Sequence, residues 1–387
     1  MKFIHAADIH LGNPFIGLDQ TLPSQFKKSV QQSTLTAFKS LINSSITENI
    51  DFLIISGDLY NAAQNSPQIQ EIVSQQFERL NSAGIPVYLS FGNHDFEANK
   101  QNHLSWPENV HVFEQNVETK YLTLKTGESI ALTGFSYQTQ RQTQKIINDF
   151  PVKMQSVDYQ IGLYHGAIGI DGDPYAPFSV SDMLQKNYDY WALGHIHMRQ
   201  TLNNQPFIGY SGVLQGLNRK EIGEKGYYLV TSKNHVLVPE FYDISPIIWE
   251  ELILSEVSDE LDLINQVLNY EYTKITFLSV KITADLDETV IQRLASGTTL
   301  EKLREKASVN LWIVNLTITH ELLTLLAVDN IDQKYWLESF EKIFSDFVIS
   351  DYVSNQAPTF VRDYLMGEEG KSSLQNKMQQ LIQSRKV

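Results

Sequence analysis

Aspartate, histidine and asparagine residues occur in five short motifs, and each motif follows an apolar run of the chain. The motifs are Asp8-Ile9-His10, Gly57-Asp58, Gly92-Asn93-His94-Asp95, His165-Gly166 and Gly194-His195-Ile196-His197. Carboxylate oxygens, amide oxygens and imidazole nitrogens all bind divalent cations. The motifs together contain six or seven such ligands, enough for two ions with positions left for water and substrate.

Each motif taken alone also has an ordinary structural explanation. A Gly-Asp pair, or Asn-His-Asp after a glycine, is typical of a turn, and a single histidine beside a glycine is common in loops. Five such motifs, each at the end of an apolar run, favour one shared site instead. The other histidines lack such neighbours and are interpreted as structural or surface residues: His5, His103, His111, His235 and His320.

Seven short apolar runs alternate with helical patterns over residues 1 to about 235, which is the rhythm of an α/β domain. The runs are 3–7, 52–56, 87–90, 130–133, 161–164, 191–193 and 227–230. A long amphipathic helix is predicted between the first two runs, and another begins at Ser66 and Pro67 and stops at Gly84. Ligand sites of open α/β sheets lie beyond the carboxyl ends of strands, so the five motifs are predicted to converge.

Three domains are predicted, with limits at 1–240, 247–325 and 331–387. In the second, acidic helical segments alternate with strand-like runs, which indicates a small α/β domain. In the third, an apolar stripe from Trp336 to Phe347 predicts helices. This stripe is consistent either with docking on a partner or with packing on its own domain.

The composition is that of a globular protein, and it limits the classes of function. The 30 basic and 45 acidic residues give a net charge of −15, which argues against a protein that coats nucleic acid. The sequence has no cysteine, so disulfides and Cys-ligated zinc are excluded. No secretory signal pattern and no membrane-spanning apolar run is present, so we predict a cytoplasmic protein without membrane association.

Four basic residues near the last motifs are candidates for substrate contacts, although they are equally consistent with ordinary solvated charges: Arg199, Arg219, Lys220 and Lys225. A local basic groove can exist on an acidic protein. Two divalent ions would also add four positive charges at the place where a phosphate must bind.

The five motifs together resemble the signature blocks of the calcineurin-like metallophosphoesterase superfamily across the whole first domain. The opening segment 3–12 and Gly57-Asp58-Leu59-Tyr60 are similar to the SbcD-type nucleases of bacterial DNA double-strand-break repair. The loop Tyr175-Ala176-Pro177-Phe178 and the overall length are similar to the YhaO branch. This resemblance implies a four-layer metallophosphoesterase β-sandwich flanked by helices, with a smaller α/β capping domain and C-terminal helices.

The resemblance also implies roles for the motif residues. Two divalent ions, best matched by manganese given the mixed ligands, would be held by Asp8, His10, Asp58 and His197 and by Asp58, Asn93, His165 and His195. His94 would be a catalytic residue that binds no metal. Asn61 stands where many relatives carry a histidine, and Asn61 and Asp95 are candidates for supporting the ligands or contacting substrate.

The resulting hypothesis is a two-metal-dependent DNA exonuclease or endonuclease of DNA repair, in which a hydroxide formed at the ions attacks the phosphodiester in line. One alternative is a phosphodiesterase or phosphatase acting on small molecules or proteins. Another is a non-catalytic scaffold, against which the complete ligand set argues. The resemblance further implies three partners: DNA, an SbcC-like coiled-coil ATPase bound by the C-terminal helices, and a second copy bound through the helix 66–80.

Overall fold

The structure is a computed structural model that describes residues 1–15, 22–61, 66–96 and 106–318, together with Gly370 and Ser373. The chain divides into two compact units, Met1–Thr317 and Ile318–Val387. The predicted C-terminal helices at 331–387 lie outside the described residues, apart from the helical Gly370 and Ser373. In the described ranges, no helix combines the length and the apolar composition needed to cross a bilayer.

The first large sheet is built mainly from buried parallel strands. Its six strands are β1 (Lys2–Ala6), β2 (Phe52–Ser56), β3 (Val87–Ser90), β4 (Val110–Val112), β11 (Gly226–Lys233) and β12 (Val236–Asp243). They lie in the order β12-β11-β1-β2-β3-β4, with β1 to β4 parallel and β11 antiparallel to both β1 and β12. The parallel strands β1 to β3 therefore end side by side at one edge.

The second large sheet has parallel strands at its centre and antiparallel strands at its edges. Its strands are β5 (Glu118–Thr123), β6 (Ser129–Gly134), β7 (Tyr159–His165), β8 (Tyr190–Gly194), β9 (Gln200–Asn204) and β10 (Phe207–Tyr210). The order is β5-β6-β7-β8-β10-β9, in which β6, β7, β8 and β10 are parallel. The edge strands β5 and β9 run antiparallel to their neighbours.

Apolar side chains join the two sheets and their helices into four layers. Phe3 and Phe52 of the first sheet and Ile161 of the second belong to one buried cluster between the sheets. The helices α1 (Ser24–Thr47) and α2 (Pro67–Ser82) cover the other face of the first sheet. A 3-10 turn at Ile146–Asp149 and the helix α3 (Val180–Gln185) pack on the outer side of the second sheet. The four-layer sandwich with flanking helices is therefore confirmed.

The helix α2 begins as the sequence predicts. Ser66 accepts a hydrogen bond from the backbone N–H of Ile69, and Pro67 occupies the first turn, where its missing N–H costs nothing. One detail of the prediction was wrong: Gln76, assigned to the exposed face, is 9% exposed and accepts a hydrogen bond from Arg79 at 2.7 Å. This arginine three residues later covers the Gln76 amide.

A smaller sheet follows and lies within the same compact unit as the two large ones. It contains β13 (Ile247–Leu254), β14 (Ile275–Ile282) and β15 (Leu311–Ile318), with the helices α4 (Glu260–Leu268), α5 (Glu288–Ala295) and α6 (Thr298–Lys306). The side chains of Trp249, Phe277 and Trp312 join Phe26 of α1 in a buried aromatic cluster. The limits predicted for a capping domain, 247–325, stay a prediction.

Candidate metal centre

The five motifs emerge at the carboxyl ends of neighbouring strands in both large sheets. Asp8 and His10 follow β1, Asp58 follows β2 and Asn93 follows β3. The second sheet contributes His165, the last residue of β7, and His195 and His197 after β8. The structure therefore brings all seven predicted ligands together.

Three of these residues adopt a left-handed backbone conformation that is uncommon outside glycine. Asp8, His10 and Asp58 have φ angles of 50°, 49° and 51°. Hydrogen bonds between the two loops hold them, from Asp8 N to Gly57 O at 3.1 Å and from His10 N to Asp58 O at 3.0 Å. Strained backbone of this kind persists where the surroundings over-determine it, often at functional sites.

One half of the centre gathers around Asn93. Its Oδ1 lies 3.0 Å from His165 Nε2 and 3.0 Å from His195 Nδ1. His165 Nδ1 lies 3.0 Å from the carbonyl oxygen of Ser56 and must donate to it, so a neutral His165 presents a lone pair at Nε2. That nitrogen is also 3.4 Å from Asp58 Oδ2. A cation satisfies such convergent lone pairs, so the donor set fits a metal.

The electrostatics of His165 show the same demand for positive charge. Burial lowers the pKa of this histidine, but the carboxylates of Asp58 and Asp8 more than offset the effect and raise its pKa to about 9. Burial likewise raises the pKa of Asp58, but His165 and His10 hold it well below its usual range. Asp58 is therefore a buried, ionised carboxylate.

The other half contains Asp8, His10 and His197, whose ligand atoms lie within 4.8 Å of one another. The Nε2 atoms of His10 and His197 are 3.0 Å apart, and His10 Nε2 is 3.8 Å from Asp58 Oδ2. Burial lowers the pKa of His10 to about 3, which leaves its ring neutral and able to offer a lone pair. Asp58 therefore borders both halves.

Asp8 contributes a carboxylate that is held from behind. Both of its oxygens accept the backbone N–H of His195, each at 3.0 Å. Burial raises the pKa of Asp8 to about 6, an effect that nearby histidines only partly offset. This hydrogen bond links the loop after β1 in one sheet to the loop after β8 in the other.

His94 lies at the exposed side of the centre. Its Nδ1 is 2.8 Å from the backbone oxygen of Asn61 and donates to it, so Nε2 is the atom left for chemistry. The His94 ring lies edge-on to His10 with 4.8 Å between centroids. One ligand atom of His94 also lies within 4.8 Å of atoms from His10 and Asp58, so its position suits either substrate or metal.

The two predicted supporting residues occupy different positions. Asp95 is buried and accepts the backbone N–H groups of Gly92 at 2.7 Å and Tyr60 at 3.2 Å, which ties the loop after β3 to that after β2. Burial raises the pKa of Asp95 to about 8. Asn61 accepts a side-chain hydrogen bond from Asn13 at 2.8 Å and supports His94 through its backbone.

Sequence reasoning missed Glu221. Its Oε1 lies 3.0 Å from His197 Nδ1, while its Oε2 accepts the backbone N–H of Leu217 at 2.8 Å. The carboxylate keeps the His197 proton on Nδ1 and leaves Nε2 for the centre. No motif marks this glutamate, which follows two basic residues in an ordinary polar loop.

The four predicted basic candidates separate into two kinds. Arg199 packs over the ring of Phe241 at 3.8 Å, and Lys225 donates to the carbonyl oxygen of Ile222 at 2.7 Å. Arg219 and Lys220 are exposed. Only the second pair therefore projects freely into solvent.

Four layers of helices and sheets, with carboxylate, amide and imidazole ligands at the shared strand edge, are the architecture of a metal-dependent hydrolase. The model of the calcineurin-like phosphoesterase family matches residues 1–199, and the chain belongs to this family. It is accordingly a metal-dependent phosphoester hydrolase.

Three relatives are similar over larger parts of the chain. The uncharacterized metallophosphoesterase YhaO of Bacillus subtilis (strain 168) is 39% identical over 257 residues, covering 65% of this chain and 62% of that protein. One of the subunits of the nuclease SbcCD from Staphylococcus epidermidis is 26% identical, covering 72% and 80%. The DNA double-strand break repair protein Mre11 of Methanocaldococcus jannaschii is 26% identical, covering 59% and 62%. The match thus spans less than two thirds of YhaO and of Mre11.

Proposed function

We propose that this protein is a two-metal-dependent DNA nuclease of the SbcD type, in the YhaO branch, that hydrolyses phosphodiester bonds in DNA repair. The observation that carries the proposal is the position of Asp58. Its carboxylate is grouped with His10 and His94 on one side and with Asp8 and His165 on the other. A single carboxylate between two sets of ligand atoms suits a pair of ions.

The ligands divide between the two ions as the donor geometry suggests. Asp8, His10, Asp58 and His197 would hold one ion, and Asp58, Asn93, His165 and His195 the other. Divalent cations, of which we propose manganese, would supply a hydroxide nucleophile at neutral pH and neutralise charge on the phosphate.

The chain's own residues then have separate tasks. His94 donates from Nδ1 to Asn61 O, which directs Nε2 towards the substrate side. A proton held at Nε2 can be passed to the departing sugar oxygen. Asp95 stays behind the ligands and fixes the backbone of Gly92. The amide of Asn93 and the ring of His195 are thereby held at a constant separation.

The choice of DNA over other phosphoesters is supported by two relatives, which are called a nuclease subunit and a double-strand break repair protein. The small sheet packed beside the catalytic layers also extends the surface available to a long substrate. A phosphodiesterase or phosphatase acting on small molecules or proteins is the alternative.

One experiment separates these functions. The purified protein is incubated with manganese and, in parallel, with labelled duplex DNA, single-stranded DNA and bis(p-nitrophenyl) phosphate. We expect cleavage of DNA, and loss of it in Asp58→Asn with an unchanged circular dichroism spectrum. Turnover of the small diester with intact DNA would favour the alternative, and an active Asp58→Asn variant would contradict the two-metal arrangement.

We also propose the predicted partners: a coiled-coil ATPase of the SbcC kind, bound by the C-terminal residues, and a second copy bound through α2. Deleting the residues after Pro358 should preserve cleavage of a short oligonucleotide and abolish stimulation by the ATPase. Light scattering at micromolar concentration should give twice the 44.2 kDa chain mass. The mass of a single chain would refute the dimer. We expect the protein in the cytoplasm.

A further inference from the structure

A cleft of about 570 Å³ separates the loop 217–220 from the small sheet. Its apolar lining comes mainly from Trp249 on β13, Phe277 on β14 and Trp312 on β15. Arg219 and Lys220 also line it. The cleft is therefore aromatic inside and basic along the loop, and it has the dimensions of a small-ligand site.

The charge of this cleft differs from that of the chain. The protein carries −15 overall, yet the residues lining the cleft include two cations and no acidic residue. Both Arg219 and Lys220 are exposed. Within the described ranges, no ion pair involves either cation. Such a surface favours a ligand that combines an aromatic ring with negative charge, as a nucleotide does.

The cleft shares a wall with the candidate metal centre. Lys220 directly precedes Glu221, whose carboxylate contacts His197 at 3.0 Å. The same loop is fixed to the small sheet, because Trp249 Nε1 donates to Gly216 O at 2.9 Å and Gly223 N donates to Trp249 O at 2.9 Å. A strand bound at the ions can therefore place a neighbouring nucleotide in the cleft.

We propose that this cleft binds one unstacked nucleotide of the DNA strand being cut. Its base packs against the aromatic lining around Trp312, and its phosphate contacts Arg219 and Lys220. The inference rests on the proposed nuclease function and adds a substrate class: DNA with an unpaired nucleotide next to the scissile phosphate. Base–aromatic stacking tolerates any base, so the site reads strand state and not sequence.

The first test removes the two cations. Arg219→Ala/Lys220→Ala is compared with Lys125→Ala/Lys233→Ala, which removes the same charge from exposed positions. These control lysines lie at the opposite end of β1, where Met1 N contacts Ser232 and Glu128. We expect KM for single-stranded DNA to rise about tenfold in the first variant and to stay near wild type in the control. Turnover of bis(p-nitrophenyl) phosphate should be unchanged in both.

The second test addresses the base. In a single-stranded oligonucleotide, one abasic position next to the cut should slow cleavage by the wild type. Trp312→Leu should remove that difference, because the ring that the base contacts is gone. Circular dichroism and bis(p-nitrophenyl) phosphate turnover verify that this variant is folded. Equal sensitivity to the abasic position in both proteins would overturn the proposal.

The outcomes also separate this inference from the proposed function. If the wild type cleaves the small diester but no DNA, the nuclease function fails and the cleft inference fails with it. If the wild type cleaves DNA and the Arg219→Ala/Lys220→Ala variant has the KM of the control, only the cleft inference is overturned.

Discussion

The variant Glu221→Gln tests how the protein fixes one metal ligand. The carboxylate of Glu221 accepts from three donors: His197 Nδ1 at 3.0 Å, Asn218 Nδ2 at 2.7 Å and Leu217 N at 2.8 Å. Glutamine keeps the shape but replaces one acceptor oxygen by an NH₂ group. At least one of these donors must then face another donor.

Either orientation of the new amide weakens the centre. If its oxygen faces Leu217, the NH₂ group faces His197, whose Nδ1 must become an acceptor and move its proton to Nε2, the atom directed at the ions. If its oxygen faces His197, the Leu217 N–H loses its partner, at a cost of about 1–3 kcal/mol. Changes to such supporting partners typically lower metal affinity about 10–100-fold, or about 1.4–2.7 kcal/mol.

The assay is equilibrium dialysis against manganese, followed by elemental analysis and circular dichroism. Glu48→Gln is the matched control, since Glu48 pairs with Lys2 at 3.2 Å on a partly exposed surface away from the motifs. We expect the control to keep wild-type affinity. Unchanged manganese affinity in a folded Glu221→Gln variant would refute the positioning role of this glutamate.

Three further predictions follow from the same contacts. His94→Ala should retain its bound metal and lose about 10²–10⁴-fold in turnover, measured by elemental analysis beside kinetics; loss of an ion would make His94 a ligand. Gly92→Ala should lower metal content and activity in a folded chain, because an added Cβ would lie 2.6 Å from His165 Nε2 and against Asp58; full activity would contradict this packing. For His5, burial lowers the pKa from 6.5 to about 3, so the unfolded chain binds a proton that the folded chain excludes, and stability falls with pH below 6.5. Between pH 6.5 and 5 the wild type should lose about 2 kcal/mol more unfolding free energy than His5→Gln, by urea titration; parallel curves would refute this.

The central strands could be predicted because each is a continuous apolar run. The limits 52–56, 87–90 and 275–282 coincide with β2, β3 and β14. These strands are buried on both faces, so every position favours an apolar residue. The helix α2 was equally clear, since a Ser66 cap and Pro67 mark its start.

The edge strands could not be found in the same way. The strand β9, Gln200–Asn204, contains mostly polar and exposed residues and is held by pairing with β10. Its conformation depends on a neighbour and not on its own composition. The helix α3 had a local signal that went unused, because Ser179 and Asp182 form a reciprocal capping box.

The site shows the same division between local and long-range information. Asp8 and His195 could be placed near one another because both follow predicted strands, yet their direct hydrogen bond joins two different sheets. Glu221 could not be placed at all, because it approaches His197 from a loop after β10. Supporting residues of this kind are defined by tertiary contacts, which short motifs do not record.

The buried charges explain why the motif residues and the fold depend on one another. Asp8, Asp58 and Asp95 are all within 1% of complete burial, and three carboxylates without compensation would be costly in such surroundings. The protein offsets this with the backbone N–H groups of His94, His195 and Gly92, each donated from a motif loop. Those loops reach the carboxylates only through the left-handed turns after β1 and β2. The geometry that offers ligands to a cation is thus the same geometry that makes the buried carboxylates tolerable.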